Sequence, residues 1–124
     1  MKIEIREFKK EDNPVREAAI KFYDRKKMNF NAHPSYVKIL VGFVDDRYLG
    51  FINFDGESID IFLVPKMRFK GWGLHFLLLA ERFLMKKDKD LTVINAQIIN
   101  KQSASIFEKA GYIDDIADWY KVLR

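Results

Sequence analysis

Arg68-Phe69-Lys70-Gly71-Trp72-Gly73 stands between an apolar strand-like stretch, Ile59 to Val64, and a long apolar helical segment from Gly73 to about Lys87. Few junctions narrow the choice of folds so far. A turn from strand into helix points several backbone N–H groups, and the positive end of a helix dipole, into one small space. Glycines at 71 and 73 let the backbone approach an anion with no side chain in the way. Lys66, Arg68 and Lys70 add positive charge around it. The pattern is that of a phosphate site.

A second segment follows one helix and one strand later: Asn100, Ser103, Phe107, Glu108, Lys109, Gly111 and Tyr112, spaced as on a short helix with Asn100 near its start and Gly111 just past its end. The pair resembles the GNAT superfamily of acyl-CoA-dependent N-acetyltransferases. That family carries Arg/Gln-x-x-Gly-x-Gly/Ala at the start of its central helix, and Arg68, Gly71 and Gly73 match it. Its later helix carries Asn-x-x-Ala/Ser-x-x-x-Tyr/Phe-Glu-Lys-x-Gly-Phe/Tyr, which the second segment matches. The resemblance covers Ile59 to Tyr112; outside that span it extends only to the order of elements.

The chain of 124 residues is the size of one domain, 1–124, and 48% hydrophobic residues suffice for a core. Cysteine is absent, which excludes a disulfide framework and a cysteine nucleophile and fits a cytoplasmic enzyme. The longest apolar run, Leu74 to Ala80, is too short to span a bilayer, so no membrane partner is expected. Two histidines, His33 and His75, show no ligand spacing, so no metal is expected. Residues 66–90 carry a local charge of +4, and residues 45–60 one of −4 through Asp45, Asp46, Asp55, Glu57 and Asp60 against Arg47. An anionic cofactor beside a cationic amine suits that distribution; so does the plain tendency of hairpin turns to collect acids.

Along the chain, Lys2–Phe8 alternates as a strand. Asp12-Asn13-Pro14 starts a helix, with a capping side chain, proline at the first turn and an apolar face through Tyr23. Met28–Ser35 reads as irregular. Tyr36–Val44 and Tyr48–Phe54 are strands about the Asp45-Asp46-Arg47 turn, and Asp55-Gly56 turns the chain into Ser58–Val64. Leu91–Ile99 is a strand, Asn100–Ala110 a helix and Trp119–Leu123 a last strand, with a further short strand near Tyr112. The order β-α-β-β-β-α-β-α-β gives an α/β (α+β) fold with a mixed central sheet. The resemblance implies the same topology, with strands four and five splayed apart.

The resemblance also implies roles. Acetyl-CoA is the co-substrate. Backbone groups of Phe62, Leu63 and Val64 take the pantetheine as an added strand, and the Leu63 N–H faces the thioester carbonyl. Arg68, Phe69, Lys70, Gly71, Trp72, Gly73 and Leu74 surround the pyrophosphate, and Asn100, Ser103 and Phe107 flank the pantetheine arm. A carboxylate takes the proton of the amine. Glu57 and Asp60 are the candidates, on opposite faces of their strand, with Glu57 spaced from Arg68 as in some relatives; His33 is a further possible base. Phe107 stands where the family often has a proton-donating tyrosine. A thiol with pKa near 8.5 leaves tolerably as its anion. The acceptor is a small-molecule or peptide amine, an aminosugar among the options, met by the first helix and the loop after it through Tyr23 and His33. The protein is expected as a monomer or homodimer.

A dinucleotide-binding fold would need a small residue where Phe76 stands, and a Walker-type loop lacks its Gly-Lys-Ser/Thr. Two rivals stay open: a coenzyme A-binding regulatory module without catalysis, and a basic nucleic-acid binder stacking bases on Phe69 and Trp72. Nucleic acid is not the expected partner.

Overall fold

The computed structural model describes residues 2–14, 17, 38–68, 70–96, 101–115 and 118–124. The expected first helix and the Met28–Ser35 segment lie for most of their length outside those residues, as do Tyr23, His33, Phe69 and Asn100. The strands are β1 (Ile3–Glu7), β2 (Lys38–Val44), β3 (Arg47–Phe54), β4 (Ser58–Leu63), β5 (Val93–Ala96), β6 (Ile113–Asp115) and β7 (Asp118–Val122). The helices are α1 (Trp72–Lys87) and α2 (Lys101–Lys109), with single 3-10 turns at Lys10–Asp12 and Pro65–Met67.

The strands form one sheet in the order β1-β2-β3-β4-β5-β7-β6. Every neighbouring pair is antiparallel except β4 with β5, which the α1 crossover makes parallel. The mixed sheet and the meander feeding a crossover are as the sequence predicts. The turn at Asp45-Asp46 takes positive φ at both residues, 49° and 66°. Such a two-residue turn matches the twist of the strands it joins. β5 is described only to Ala96, so the expected continuation to Ile99 lies outside the described residues.

The core fills the side of the sheet that carries both helices. Ile59, Ile61 and Leu63 of β4 enter it with Phe76, Leu77, Ala80 and Leu84 of α1 and Phe107 and Ala110 at the end of α2. Helical spacing on α1 and alternation on β4 bring these side chains to one interface. The helix sits close to the sheet: a Cβ on Gly42 of β2 would fall 2.8 Å from the Phe76 ring. Glu81, buried on the same helix, accepts a 2.7 Å bond from Lys121 of β7. Arg124 caps the C-terminal end of α1, its Nη2 donating to the carbonyls of Met85 and Asp88.

The Asp12 carboxylate accepts from the Lys9 N–H at 2.8 Å. It also takes both Nη groups of Arg6, at 2.6 and 2.8 Å, and the Tyr48 hydroxyl at 2.8 Å. The side chain is fully buried. It knots β1, the 3-10 turn and β3 together.

Candidate functional site

Strand β4 is the axis of the site, and its hydrogen-bond parity decides what faces where. Val64 N–H donates to Leu49 C=O at 2.9 Å, and Asp55 N–H to Ser58 C=O at 3.1 Å. With the register Phe51 opposite Phe62 and Asn53 opposite Asp60, the even-numbered residues of β4 exchange bonds with β3. The odd-numbered ones turn their backbone groups the other way, as Glu57 does in accepting from Asn95 N–H at 2.9 Å. In the described residues β4 pairs with β5 only at Ser58 with Asn95 and Ile59 with Ala96, whereas β4 runs on to Leu63. The Leu63 N–H therefore points away from β3, on the side where the sequence expects a thioester. Phe62 and Val64 do not share that orientation. The Phe62 backbone and the Val64 N–H face β3, and the Val64 carbonyl accepts from Met67 N–H, so the three adjacent residues do not present their backbone groups alike.

The loop after β4 ends at Gly71, the cap residue of α1, with φ +81° and no side chain bonding the first turn of the helix. Open space surrounds its missing Cβ. The first-turn N–H groups take no side-chain cap, no acidic residue lies among them, and exposed Lys66 and Lys70 stand nearby, an arrangement that suits an anion. The two glycines of the motif act differently. Gly71 is needed for a left-handed backbone. Gly73 is needed for packing: a Cβ there would lie 2.6 Å from Ile106 Cδ1 and 3.1 Å from Leu63 Cδ1. Arg68 points inward. Its Nε donates to the Leu63 carbonyl at 2.9 Å and its guanidinium lies 5.4 Å from the centre of the Phe62 ring. It braces the end of β4. Trp72 and Leu74 pack against the core, so Trp72 is not presented as a base-stacking platform.

The even-numbered side chains of β4 lie on the opposite face of the sheet from α1. Asp60 accepts from Asn53 Nδ2 at 2.8 Å, beside the stacked rings of Phe51 and Phe62, 6.4 Å apart. Burial raises the Asp60 carboxyl to about 6 despite the Asn53 hydrogen bond. Glu57 sits in the exposed β3–β4 turn, where its N–H donates to Asp55 Oδ1. The two candidates are thus an exposed turn residue and a half-buried strand residue. Ser103 of α2 is buried, and Phe107 is fully buried with its ring edge-on to Tyr112, centroids 4.9 Å apart. Phe107 stands in the core contact between α2 and the sheet. Burial first, then the charge of Glu81, pushes the Tyr112 hydroxyl up, so it holds its proton and makes a poor donor.

Among solved structures, an aminoglycoside acetyltransferase in complex with coenzyme A superposes with a TM-score of 0.74 at 15% identity, over 98% of this chain and 95% of that one. The fold is that of the GNAT acetyltransferases. An acetyltransferase of the GNAT family from Streptococcus pneumoniae gives a TM-score of 0.68 at 13% identity, over 99% of this chain and 100% of that one. The spermidine N-acetyltransferase from Vibrio cholerae, in complex with CoA and spermine, gives 0.71 at 10%, over 97% and 95%. No family model matches the sequence, and no curated protein matches it. The GNAT fold is thus carried here by topology and a handful of motif residues.

Sequence reasoning missed Asn53. A lone amide inside the apolar run Leu49-Gly-Phe-Ile-Asn53-Phe54 was a visible signal. The Asp55-Gly56 turn sets the register that puts it opposite Asp60.

Proposed function

We propose that the chain is an N-acetyltransferase that moves an acetyl group from acetyl-CoA to a primary amine by direct attack in a ternary complex. The observation that carries this reading is the Leu63 N–H, turned away from β3 beside the uncapped, glycine-led start of α1. A coenzyme A pyrophosphate fits that helix start, held by first-turn N–H groups with Lys66 and Lys70. Its pantetheine then runs along β4 on the side turned away from β3, toward Leu63. The fold shared with acetyltransferases of spermidine and of aminoglycosides supports an amine acceptor.

Asp60 is the residue we assign as base. It is ionised at neutral pH, yet its carboxyl near 6 holds a proton far better than an exposed aspartate. Three residues of strand, roughly 10 Å, separate it from Leu63, so water carries the proton between the amine and Asp60. The amine nitrogen then attacks the carbonyl carbon, and the Leu63 N–H stabilises the oxygen that becomes negative, an effect worth about 3 kcal/mol for one donor. As the C–S bond breaks, sulfur leaves as thiolate, since Phe107 has no proton to give.

Acetyl-CoA at a hundred times its Kd should stabilise the fold by about 2.7 kcal/mol, seen as a higher Tm; acetate should not. Thiol release on adding amines then separates an enzyme from a coenzyme A-binding module. An unchanged Tm at millimolar acetyl-CoA removes this reading.

A further inference from the structure

Leu63 turns two backbone groups away from β3. In an extended strand the N–H and C=O of one residue point the same way, so the Leu63 carbonyl lies beside the N–H assigned above to the oxyanion. The two groups oppose each other. The N–H attracts a negative oxygen forming there, and the negative end of the carbonyl repels it. Arg68 closes the carbonyl, its Nε donating to Leu63 O at 2.9 Å. The local chain brings it there. Pro65–Met67 is a single 3-10 turn, with Met67 N–H on the Val64 carbonyl at 2.9 Å and Arg68 N–H on the Pro65 carbonyl at 3.3 Å. That turn returns the Arg68 side chain to a residue 5 places earlier. The Phe62 ring, its centre 5.4 Å from the guanidinium carbon, holds the cation from another side. β5 gives this strand end no support in the described residues, where its pairing with β4 stops at Ile59 with Ala96.

We propose that Arg68 is a positioning residue for acyl transfer, acting through the Leu63 carbonyl and not through the phosphates of the cofactor. This rests on the transferase reading above and adds a residue to the same site. The hydrogen bond fixes the last residue of β4 in its extended conformation, and with it the direction of the Leu63 N–H. It also sets a positive group over the carbonyl oxygen, so that the negative charge developing on the substrate meets a donor and a covered dipole. The place of Arg68 in the loop motif suggests a phosphate ligand, but its hydrogen bond runs to the strand. The exposed Lys66 and Lys70 are left to serve the pyrophosphate.

The test measures thiol release by the full chain, with butylamine as acceptor and two acyl donors. Acetyl-CoA carries the pyrophosphate; S-acetylpantetheine has the same thioester and lacks it. Arg68→Met removes the donor and keeps the stem. It should lower kcat about tenfold, less than the hundredfold or more for losing an oxyanion donor outright, and leave the acetyl-CoA KM within about twofold. The fold-loss in kcat/KM should be the same for both donors. Arg68→Gln sets an amide N–H as many bonds from the backbone as Nε, without the charge, and should recover most of the loss. A raised acetyl-CoA KM at parental kcat, with S-acetylpantetheine unaffected, makes Arg68 a phosphate ligand and overturns the proposal. Parental kinetics in Arg68→Met, or Met and Gln proteins equally impaired, overturn it too. A further readout needs no variant. The NMR coupling across the hydrogen bond from Arg68 Nε to the Leu63 carbonyl carbon should persist when acetyl-CoA is added, and its loss on binding overturns the proposal even if Arg68→Met fails to fold or butylamine is not accepted. If the Tm ignores acetyl-CoA and no amine releases thiol, the transferase reading falls and the role of Arg68 with it. A parent that releases thiol while the Arg68 tests fail removes this role alone.

Discussion

Asp12 is fully buried and Asp60 half-buried, and their carboxyls move in opposite directions. Asp12 accepts four hydrogen bonds, two from Arg6 and one each from Lys9 N–H and the Tyr48 hydroxyl. The Arg6 bonds, more than any other cause, hold it down to about 2. Asp60 has one described side-chain donor, Asn53, and burial pushes it up to about 6. The first carboxylate is surrounded until its charge is fully stabilised, which suits a structural knot. The second is left short of donors in an apolar setting, which suits a group that must take up and release protons.

The largest test acts on the knot. Arg6→Met should leave Asp12 buried without its counter-charge and cost about 3 kcal/mol or more, read from the urea midpoint at pH 7. If the midpoint hardly moves, Asp12 is not held by Arg6 and the contrast collapses.

The second acts on Asp60, with the opposite sign. Its folded pKa, about 6, lies above the ordinary 3.8. The folded state is therefore penalised above pH 6, and the penalty fades as pH falls through 6 toward 4. Asp60→Asn should stabilise the protein at pH 7 by on the order of 2 kcal/mol, and do little at pH 4. The same change should lower amine turnover by about a hundredfold or more. For Asp12 the shift is downward, so its contribution is present above 3.8 and is lost as pH falls toward 2. Parent stability should rise from pH 7 to 5 and drop below 4; Asp60→Asn should flatten only the first limb and Arg6→Met only the second.

The order of elements along the chain, the hairpin turns and the strand-to-helix loop were legible because each depends on neighbours in sequence. Roles set by distant partners were not. Asp12 belongs in sequence to a helix start with Asn13 and Pro14, and nothing there announces its hydroxyl donor, Tyr48, 36 residues away on a strand. Spacing from Arg68 favours Glu57 over Asp60, but the turn at Asp55-Gly56 leaves Glu57 exposed and sets Asp60 into the sheet face. The loop motif was legible as a pattern and misread in part as chemistry, since Gly73 answers to Ile106 on a helix that the motif does not contain.

That difference between the glycines is the third test and a smaller one. Gly71→Ala forces a side chain into the left-handed region at a cost of about 1 kcal/mol. Gly73→Ala should cost about as much by crowding Ile106. Trimming the neighbour with Ile106→Val should recover most of the Gly73→Ala loss and none of the Gly71→Ala loss. Recovery of both would mean that Gly71 also answers to packing.

The smallest effect belongs to a third aspartate, which acts through neither burial nor pairing. Asp46 is exposed and sits at φ 66° in the β2–β3 turn, a conformation that glycine adopts without a Cβ clash. Asp46→Gly removes that strain, on the order of 1 kcal/mol, but gives the unfolded chain more freedom, which takes back part of it. A net gain of about 0.5 kcal/mol is expected, with turnover unchanged because the turn lies at the end of β3 away from Asn53. Asp46→Ala should instead lose stability, having a Cβ and no side-chain oxygen to bond the local backbone. A loss from Asp46→Gly equal to that from Asp46→Ala would show that the carboxylate itself matters there. Asp46 would then stand with Asp12 as a structural charge, and the division between satisfied and unsatisfied aspartates would need redrawing.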